Sequence, residues 1–207
     1  VPGSLIVPEN FLVMGAFGSA LMARNGQRGT AISTDRLIEK VDKAVKADQR
    51  GRPAAHLQPL VPRKQTQTTD SYYRPTDKAV TDSFLGVDVG AVSTNIVIID
   101  TKGDLIAKQY WFTQGELADT VRRGLREMGE RMGDQVRVCG VGVTGSGRYF
   151  IGDFVGADVV INEISAQARA AMHCNPSVDT IIEIGGQDSK FIRCQNGRVT
   201  DFEMNKV

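Results

Sequence analysis

The strongest pattern of apolar and polar positions lies in the second half of the chain and predicts three strands followed by a helix. Apolar runs at 84–89, 94–100 and 105–112 are separated by short turns that contain glycine, which is typical of an antiparallel meander. Thr113 and Glu116 have the spacing of a capping box at a helix start. The helix that follows carries one apolar stripe at helical spacing: Leu117, Val121, Leu125, Met128 and Met132.

The rest of this half alternates between strand and helix patterns. We predict strands at 135–141 and 180–184, an alanine-rich helix at 162–173, and a hairpin at 190–202 that turns at Asn196-Gly197. The order β-β-β-α-β-α-β predicts an α/β fold, in which a mixed sheet is flanked by helices.

The first third of the chain has a different pattern. Residues 5–7 favour a short strand, residues 14–23 a helix of small residues, and residues 33–48 an amphipathic helix. Residues 50–82 combine prolines with glutamine and threonine and show no periodicity, so they cannot bury enough apolar surface to offset the ordering of their backbone. We expect an extended tether there.

Composition supports this division and excludes several classes of function. Six of the seven prolines precede residue 84, whereas 16 of the 22 glycines follow it, so the two parts are built differently. A net charge of +1 gives no concentrated basic field for nucleic acid or an anionic membrane. No apolar run approaches roughly 20 residues, and the first residues lack the order of a signal peptide. We therefore expect a cytoplasmic protein.

Neither the cysteines nor His173, which lies at the end of the helix predicted at 162–173, indicates a reactive centre. Cys139, Cys174 and Cys194 lie far apart without a C-x-x-C spacing, which argues against a disulfide framework and against a self-contained zinc site. His173 stands alone and favours a structural role.

Two turns carry the candidate chemistry, and the first follows the strand at 84–89. Asp88 is brought to the tip of a hairpin, Gly90 lets the turn backbone approach a ligand, and Ser93 and Thr94 add hydroxyls and N–H donors; Gly86 precedes them in the strand. A carboxylate beside amide donors suits a phosphate that arrives with Mg²⁺. An ordinary hairpin with a turn glycine is the competing interpretation.

The second turn is Gly185-Gly186-Gln187-Asp188, at the end of the strand at 180–184. Here again an apolar strand ends in glycine and an acid. Two such turns, 100 residues apart and each at the start of a hairpin, indicate a clamp that closes on phosphates from both sides.

A third glycine run is less specific. Gly140, Gly142 and Gly145 fit G-x-G-x-x-G, but the preceding meander does not suit a dinucleotide-binding half, and Gly147-Arg148 does not continue as a Walker A motif. We expect a flexible loop near the nucleotide that includes Gly145 and Gly147.

In the first helix, Gly15 and Gly18 on one face indicate close approach of a ligand or of another backbone, two interpretations that the residues leave open. Glu163 suits either the ribose side of a nucleotide or a helix cap.

These runs resemble the activator ATPases of 2-hydroxyacyl-CoA dehydratases and benzoyl-CoA reductases, the BadF/BadG/BcrA/BcrD type, of the actin/hexokinase/Hsp70-like (ribonuclease H-like) class. The resemblance covers about 84–207 and implies that Asp88-x-Gly90 is the first phosphate motif and 185–188 the second. It is carried by four runs: Gly86-Val87-Asp88-Val89-Gly90 with Ser93-Thr94-Asn95, Val143-Thr144-Gly145-Ser146-Gly147-Arg148, Asn162-Glu163-Ile164, and Glu183-Ile184-Gly185-Gly186-Gln187-Asp188-Ser189-Lys190.

The resemblance implies ATP-driven electron transfer. In the family a homodimer holds one [4Fe-4S] cluster, and ATP hydrolysis drives a low-potential electron to a CoA-ester dehydratase or reductase. The family pattern places the cluster cysteines beyond the position of Val207, and the three cysteines of this chain match neither.

The resemblance also implies an arrangement of units. Residues 1–25 are similar to the C-terminal end of such a unit, with Gly15 and Gly18 in the segment near the adenosine. Residues 26–83 would form a linker with one helix at 33–48, and 84–207 the N-terminal half of a second, incomplete unit. We expect a homodimer or a tandem pseudo-dimer, and little activity from this stretch alone.

For the site itself we expect ATP or ADP with Mg²⁺. Asp88 and Asp188 would bind the metal through water, and Gln187 or Asp188 would position the attacking water. The alternatives are a sugar- or acyl-kinase relative, with Glu183 or Asp188 as base, and a non-catalytic nucleotide-sensing module.

Overall fold

The structure, a computed structural model, describes residues 6–26, 31–48, 71–72 and 80–205. A single 3₁₀ turn, Phe11–Val13, leads into the first helix. The helices are α1 Met14–Asn25, α2 Thr34–Asp48, α3 Leu117–Met132, α4 Arg148–Val155 and α5 Glu163–Cys174. The strands are β1 Ser71–Tyr72, β2 Thr81–Val89, β3 Ser93–Asp100, β4 Leu105–Phe112, β5 Val136–Thr144, β6 Val159–Val160, β7 Thr180–Ile184, β8 Ser189–Gln195 and β9 Arg198–Met204.

The first sheet has six strands in the order β1-β4-β3-β2-β5-β6. Strands β2, β3 and β4 form the antiparallel meander expected from the sequence. Strand β5 pairs in parallel with β2, and β6 pairs in parallel with β5. The mixed α/β class predicted from the sequence is therefore confirmed.

The two faces of this sheet are covered differently, because successive side chains of a strand point to opposite faces. One face, which we call the aliphatic face, is packed with large side chains beneath α2, α3 and α4. Its buried residues include Leu85, Val87, Val89, Ile96, Ile98, Val121, Leu125, Met128, Met132, Val141, Val143 and Ile151.

The other face, the glycine face, is covered by α1. Gly86 of β2 lies under Ala16 and Ala20 of α1, and Gly142 of β5 lies under Ser19, so close that a Cβ at either glycine would overlap backbone atoms of the helix. Small residues therefore let the first helix approach the sheet closely; of the two helix glycines considered from the sequence, Gly18 meets a backbone, whereas Gly15 meets the side chain of Asp88. Gly18 makes the same kind of contact with Ala166 of α5.

Helix α2 is part of this domain rather than a helix within a tether. Leu37 and Val41 are 1% and 0% exposed and belong to the core of the aliphatic face. Ile32, just before the helix, forms an isolated antiparallel bridge with Val138 of β5. The sequence placed the helix in a linker because its apolar stripe does not reveal which surface covers it.

The second sheet contains β7, β8 and β9 in that order, all antiparallel. The sequence indicated one sheet, but β7 pairs only with β8 among the described strands. Helix α5 lies between α1 and this sheet, and Ala168 and Met172 of α5 pack with Ile192 and Cys194 of β8. The hairpin of β8 and β9 turns at Asn196-Gly197, as predicted, and both residues have positive φ.

Four local predictions differ from the structure. Helix α4 and strand β6 were not expected, and the capping box is absent: α3 begins at Leu117 after Glu116, without a side-chain cap. Ile6 and Val7 are not in a strand. Leu5 and most of the tether expected at 50–82 lie outside the described residues.

In the described part of the chain, no helix is both long and apolar enough to cross a membrane.

Candidate functional site

Asp88 stands at the carboxyl-terminal end of β2 on the glycine face, and two glycines enclose its carboxylate. A Cβ on Gly15 of α1 would collide with Oδ2, and a Cβ on Gly145 would lie 2.6 Å from Oδ1. Burial raises the pKa of Asp88 to about 7; Glu163 and Glu183 contribute in the same direction, and Lys190 opposes them. The carboxyl group is therefore held in a confined, electronegative place.

The two predicted turns meet beside this carboxylate. In the β2–β3 turn, the Gly90 N–H donates to the Ser93 carbonyl at 2.9 Å, and in the β7–β8 turn the Gly185 N–H donates to the Asp188 carbonyl at 2.8 Å. A Cβ on Gly186 would lie 3.1 Å from Val92, which places the second turn against the first. The chain thus brings together residues that are 100 positions apart.

Lys190, which the sequence did not single out, is the centre of a charge cluster. Its side chain is 4% exposed, and its Nζ lies 2.5 Å from Asp188, 2.9 Å from Glu183 and 3.7 Å from Glu163. Burial lowers the pKa of the Lys190 ammonium group, but its hydrogen bonds to Asp188 and Glu183 and the charges of Glu183 and Glu163 together outweigh burial, so the pKa is raised. The lysine therefore joins the β7–β8 turn to the start of α5.

Glu163 is the first residue of α5, and the cap is Asn162, whose Oδ1 accepts from the Ser165 N–H at 2.9 Å. The capping role considered for Glu163 is therefore taken by its neighbour. The Glu163 carboxylate instead faces Lys190.

The third glycine run differs from the flexible loop expected from the sequence. Gly140 and Gly142 lie inside β5, and only Gly145 and Gly147 belong to the turn. Gly145 has φ +90°, which favours glycine, and the Gly147 N–H donates to the Val89 carbonyl at 2.9 Å. The turn leads directly into α4, so it forms a strand–turn–helix connection next to Asp88.

A polar row crosses the sheet at Asp88, and no role was predicted for its outer members. In the strand register, Asp88 pairs with Asn95 of β3 on one side and with Thr144 of β5 on the other. Asn95 is 5% and Thr144 0% exposed. Neither Asn95 Oδ1 nor Thr144 Oγ1 has a hydrogen-bond partner among the described residues. Only the pairing of distant strands reveals this row.

Three residues predicted to bind the nucleotide lie away from the carboxylate. Thr94 belongs to the aliphatic face, where its hydroxyl is 3.0 Å from that of Thr113. Gly86 and Gly18 lie under helix backbones. Ser93 remains at the β2–β3 turn, partly buried.

The predicted catalytic residues of the second turn have different surroundings. Asp188 is bound to Lys190, whereas Gln187 is exposed and has no side-chain hydrogen bond to another described residue. His173 packs edge-on against Phe17 of α1, in agreement with a structural role.

The three cysteines are free thiols, and no group of three or more His, Cys, Asp or Glu residues in the described ranges is arranged to hold a metal ion. A [4Fe-4S] cluster therefore does not fit the cysteines of this chain. A hydrated cation is a different case, because the orphaned oxygens of Asn95 and Thr144 beside Asp88 are the hard oxygen donors that Mg²⁺ prefers.

The fold and site define a mixed α/β domain in which glycine turns converge on a buried aspartate. Residues 85–207 match the BadF/BadG/BcrA/BcrD ATPase family. The chain belongs to this family, as the sequence runs indicated.

Two relatives describe the family further. The (R)-2-hydroxyglutaryl-CoA dehydratase activating ATPase of Acidaminococcus fermentans is 32% identical over 122 residues, which are 58% of this chain and 46% of that protein. The 2-hydroxyisocaproyl-CoA dehydratase activator of Clostridioides difficile is 33% identical over 123 residues, 58% of this chain and 45% of that protein. The chain thus spans about half the length of the curated relatives it matches.

Among solved structures, the activator of the 2-hydroxyisocaproyl-CoA dehydratase from Clostridium difficile with bound ADPNP is similar at 30% identity and a TM-score of 0.47. The match covers 59% of this chain and 45% of that one. The family assignment depends on the sequence match.

Proposed function

We propose that this chain forms the phosphate-binding half of an ATP-hydrolysing activator of a CoA-ester dehydratase. The observation that carries the proposal is the meeting of two glycine turns beside the enclosed carboxylate of Asp88, in a chain that belongs to an ATPase family. Relatives named as dehydratase activators support the same partner class.

Asp88 has the position to orient the water shell of Mg²⁺ that arrives with the nucleotide. Backbone N–H groups of the turns containing Gly90, Gly145 and Gly186 offer neutral donors to phosphate oxygens, which the surrounding carboxylates cannot provide. Bound Mg²⁺ would supply charge neutralisation at the phosphates. The chain's own contribution is to orient the phosphates and the water around them.

Gln187 is the residue we assign to the attacking water. The Gln187 side chain is exposed in the β7–β8 turn, whereas the Asp188 carboxylate is bound to Lys190. Asp188 then acts by fixing Lys190 and the turn, and a role in metal binding through water requires that this ion pair rearrange.

The ion pairs of Lys190 also bear on the kinase alternative. A phosphotransferase of this superfamily needs a carboxylate free to accept a proton from the substrate. Glu183 and Asp188, the two candidates for that base, are both bound to the Lys190 ammonium. The ATPase is therefore the better-supported function.

The electron-transfer role belongs to the same proposal and rests on the family. It requires a [4Fe-4S] cluster whose ligands are not Cys139, Cys174 or Cys194, together with a CoA-ester dehydratase or reductase as acceptor. A homodimer or a tandem pair of units would bring two such sites together.

We also propose that residues 1–25 are the end of a preceding unit and 84–207 the beginning of the next. This arrangement rests on the family resemblance; in the structure, Gly15 of the first helix completes the enclosure of the Asp88 carboxylate.

The experiment that tests the function compares two aspartates of the same strand. Asp88→Asn keeps the shape of the side chain and removes its ionisation, so we expect ATP turnover by the full-length protein to fall about 10- to 100-fold, the range for groups that support a metal. Asp82→Asn changes a residue that is ion-paired with Arg137 at the opposite end of β2, and we expect it to retain turnover. Equal turnover in both variants would contradict the proposal.

A further inference from the structure

The polar row across the first sheet contains two residues that have no role in the function proposed above. Asn95, Asp88 and Thr144 are aligned by the register of β3, β2 and β5. All three project from the glycine face, because residues two or four positions away on the same strands pack under α1: Val97, Ile99, Phe84 and Gly142. The row lies at the end of that face where the two glycine turns meet.

Asn95 and Thr144 are buried without the partners that their chemistry requires. A buried hydroxyl or amide oxygen that makes no hydrogen bond costs free energy, so native proteins pair nearly all such groups with protein atoms, water or ligand. Both unpaired oxygens flank the one carboxylate that two glycines enclose. Structural packing alone would favour apolar residues at both places, as on the aliphatic face.

The span of the row limits what it can hold. Adjacent strands are about 4.8 Å apart, so Asn95 and Thr144 stand roughly 10 Å from each other at their Cα atoms. A bare Mg²⁺ binds its ligands at about 2.1 Å and cannot reach both. A hydrated ion extends farther, because each of its waters makes a further hydrogen bond of about 2.8 Å.

The polar groups of the row also suit a hydrated ion. Asp88 and the Asn95 amide oxygen accept hydrogen bonds from metal-bound water, and the Thr144 hydroxyl accepts from water or donates to a phosphate oxygen. Lys190, which is committed to Glu163, Glu183 and Asp188, does not occupy the row.

We propose that Asn95 and Thr144 are positioning residues that hold, on either side of Asp88, the water shell of the divalent cation that accompanies a nucleotide. The inference rests on the proposed function and adds two residues to the site. In this outer-shell role the two residues contact the cation only through its water, so they strengthen nucleotide binding only when the cation is present.

The test measures how much Mg²⁺ strengthens ATP binding to the full-length protein, as the ratio of dissociation constants in EDTA and in saturating Mg²⁺ by titration calorimetry. Thr144→Val and Asn95→Leu keep the approximate shape and remove the polar atoms. We expect each to reduce the ratio about 10-fold, the lower range for outer-shell groups. Thr144→Ser, which retains the hydroxyl, should restore most of it.

Thermal unfolding of the nucleotide-free protein separates positioning from structure. Because Thr144 Oγ1 makes no hydrogen bond to another residue that the structure describes, Thr144→Val should leave the melting temperature unchanged or raise it. Thr120→Val is the matched control: this buried threonine donates to the Thr113 carbonyl at 3.3 Å, so the variant should lower the melting temperature and keep the Mg²⁺ ratio.

The outcomes are distinct. A wild-type protein that does not bind ATP overturns the proposed function and this inference with it. A wild-type protein that binds ATP with no help from Mg²⁺, or variants that keep the full ratio, overturn the inference alone. A melting temperature that falls in Thr144→Val as in Thr120→Val also overturns it.

Discussion

The two faces of the first sheet show how one layer of strands serves both stability and chemistry. The aliphatic face is filled by large side chains from β2, β3, α2, α3 and α4. The glycine face gives up side-chain volume, with Gly86 and Gly142 directly beneath the backbone of α1. On the aliphatic face, buried apolar area provides stability. On the glycine face, the absence of side chains allows a short distance between strand and helix.

That short distance explains where the polar groups lie. Asp88, Asn95 and Thr144 belong to the glycine face, and the enclosure of Asp88 depends on Gly15 of α1. Thr94, one position along β3 from Asn95, faces the aliphatic side and has its hydroxyl paired with Thr113. Of these two neighbouring residues at the start of β3, the one with an unpaired oxygen lies on the face that also holds the carboxylate.

The largest effect should come from breaking the aliphatic face. Leu37→Ala removes a side chain of α2 that is 1% exposed, and truncation of a buried leucine costs about 2–5 kcal/mol. Asp42→Asn is the control on the same helix: its ion pairs with Arg122 and Arg126 are partly exposed and contribute about 1 kcal/mol or less. Chemical denaturation measures both free energies of unfolding, and equal losses would contradict apolar attachment of α2.

A smaller effect should follow from filling the glycine face. Gly86→Ala would push a Cβ into the backbone oxygen of Ala16, and we expect a loss of about 1–3 kcal/mol in the free energy of unfolding. ATP affinity should fall as well, because a displaced α1 withdraws Gly15 from Asp88.

Gly26→Ala is the matched control for this substitution. Gly26 follows α1, has a φ of −73°, and leaves a Cβ only ordinary contacts at 3.5 Å. Its stability and affinity should match those of the wild type. If Gly86→Ala behaved in the same way, close packing of α1 would not be what shapes the site.

Much of the fold could be predicted because its signals are local. Strand β4 begins and ends where its apolar run does, and the hairpin of β8 and β9 turns at Asn196-Gly197 as the dipeptide indicates. The capping box failed for a tertiary reason: Thr113 is buried, and its hydroxyl donates to the Gly90 carbonyl instead of the helix backbone. The Thr-x-x-Glu spacing alone therefore does not establish that Thr113 caps the helix.

The site could be predicted only where turns mark it. Asp88 and the turn at 185–188 follow apolar strands and contain glycine, so the sequence exposes them. Asn95 and Thr144 have no such mark, because their position beside Asp88 depends on how three strands align. Lys190 was missed for the same reason: its partners come from α5 and from the start of its own hairpin.

The smallest effect should be a pH dependence that arises on the glycine face alone. Burial, with Glu163 and Glu183, raises the pKa of Asp88 to about 7, against the opposing charge of Lys190, which is itself bound to Asp188. A cation is held by the ionised carboxylate, so Mg·ATP affinity should rise about 10-fold between pH 6 and pH 8 and then level off. Titration calorimetry across that range measures it, with ATP in EDTA reporting the ligand's own titration.

Thermal unfolding of the nucleotide-free protein provides the control. There the contribution of Asp88 to stability should fall as the pH rises, whereas Mg·ATP affinity should increase. An acid with a raised pKa in the folded state binds its proton more tightly there than in the unfolded chain. Its contribution to stability is present below the ordinary value of 3.8 and is lost as the pH rises to about 7. Asp88→Asn should therefore gain stability relative to the wild type over this window and keep a constant advantage above it. A constant difference across the whole range would show that Asp88 titrates as an ordinary carboxylate, and that the glycine face does not confine it.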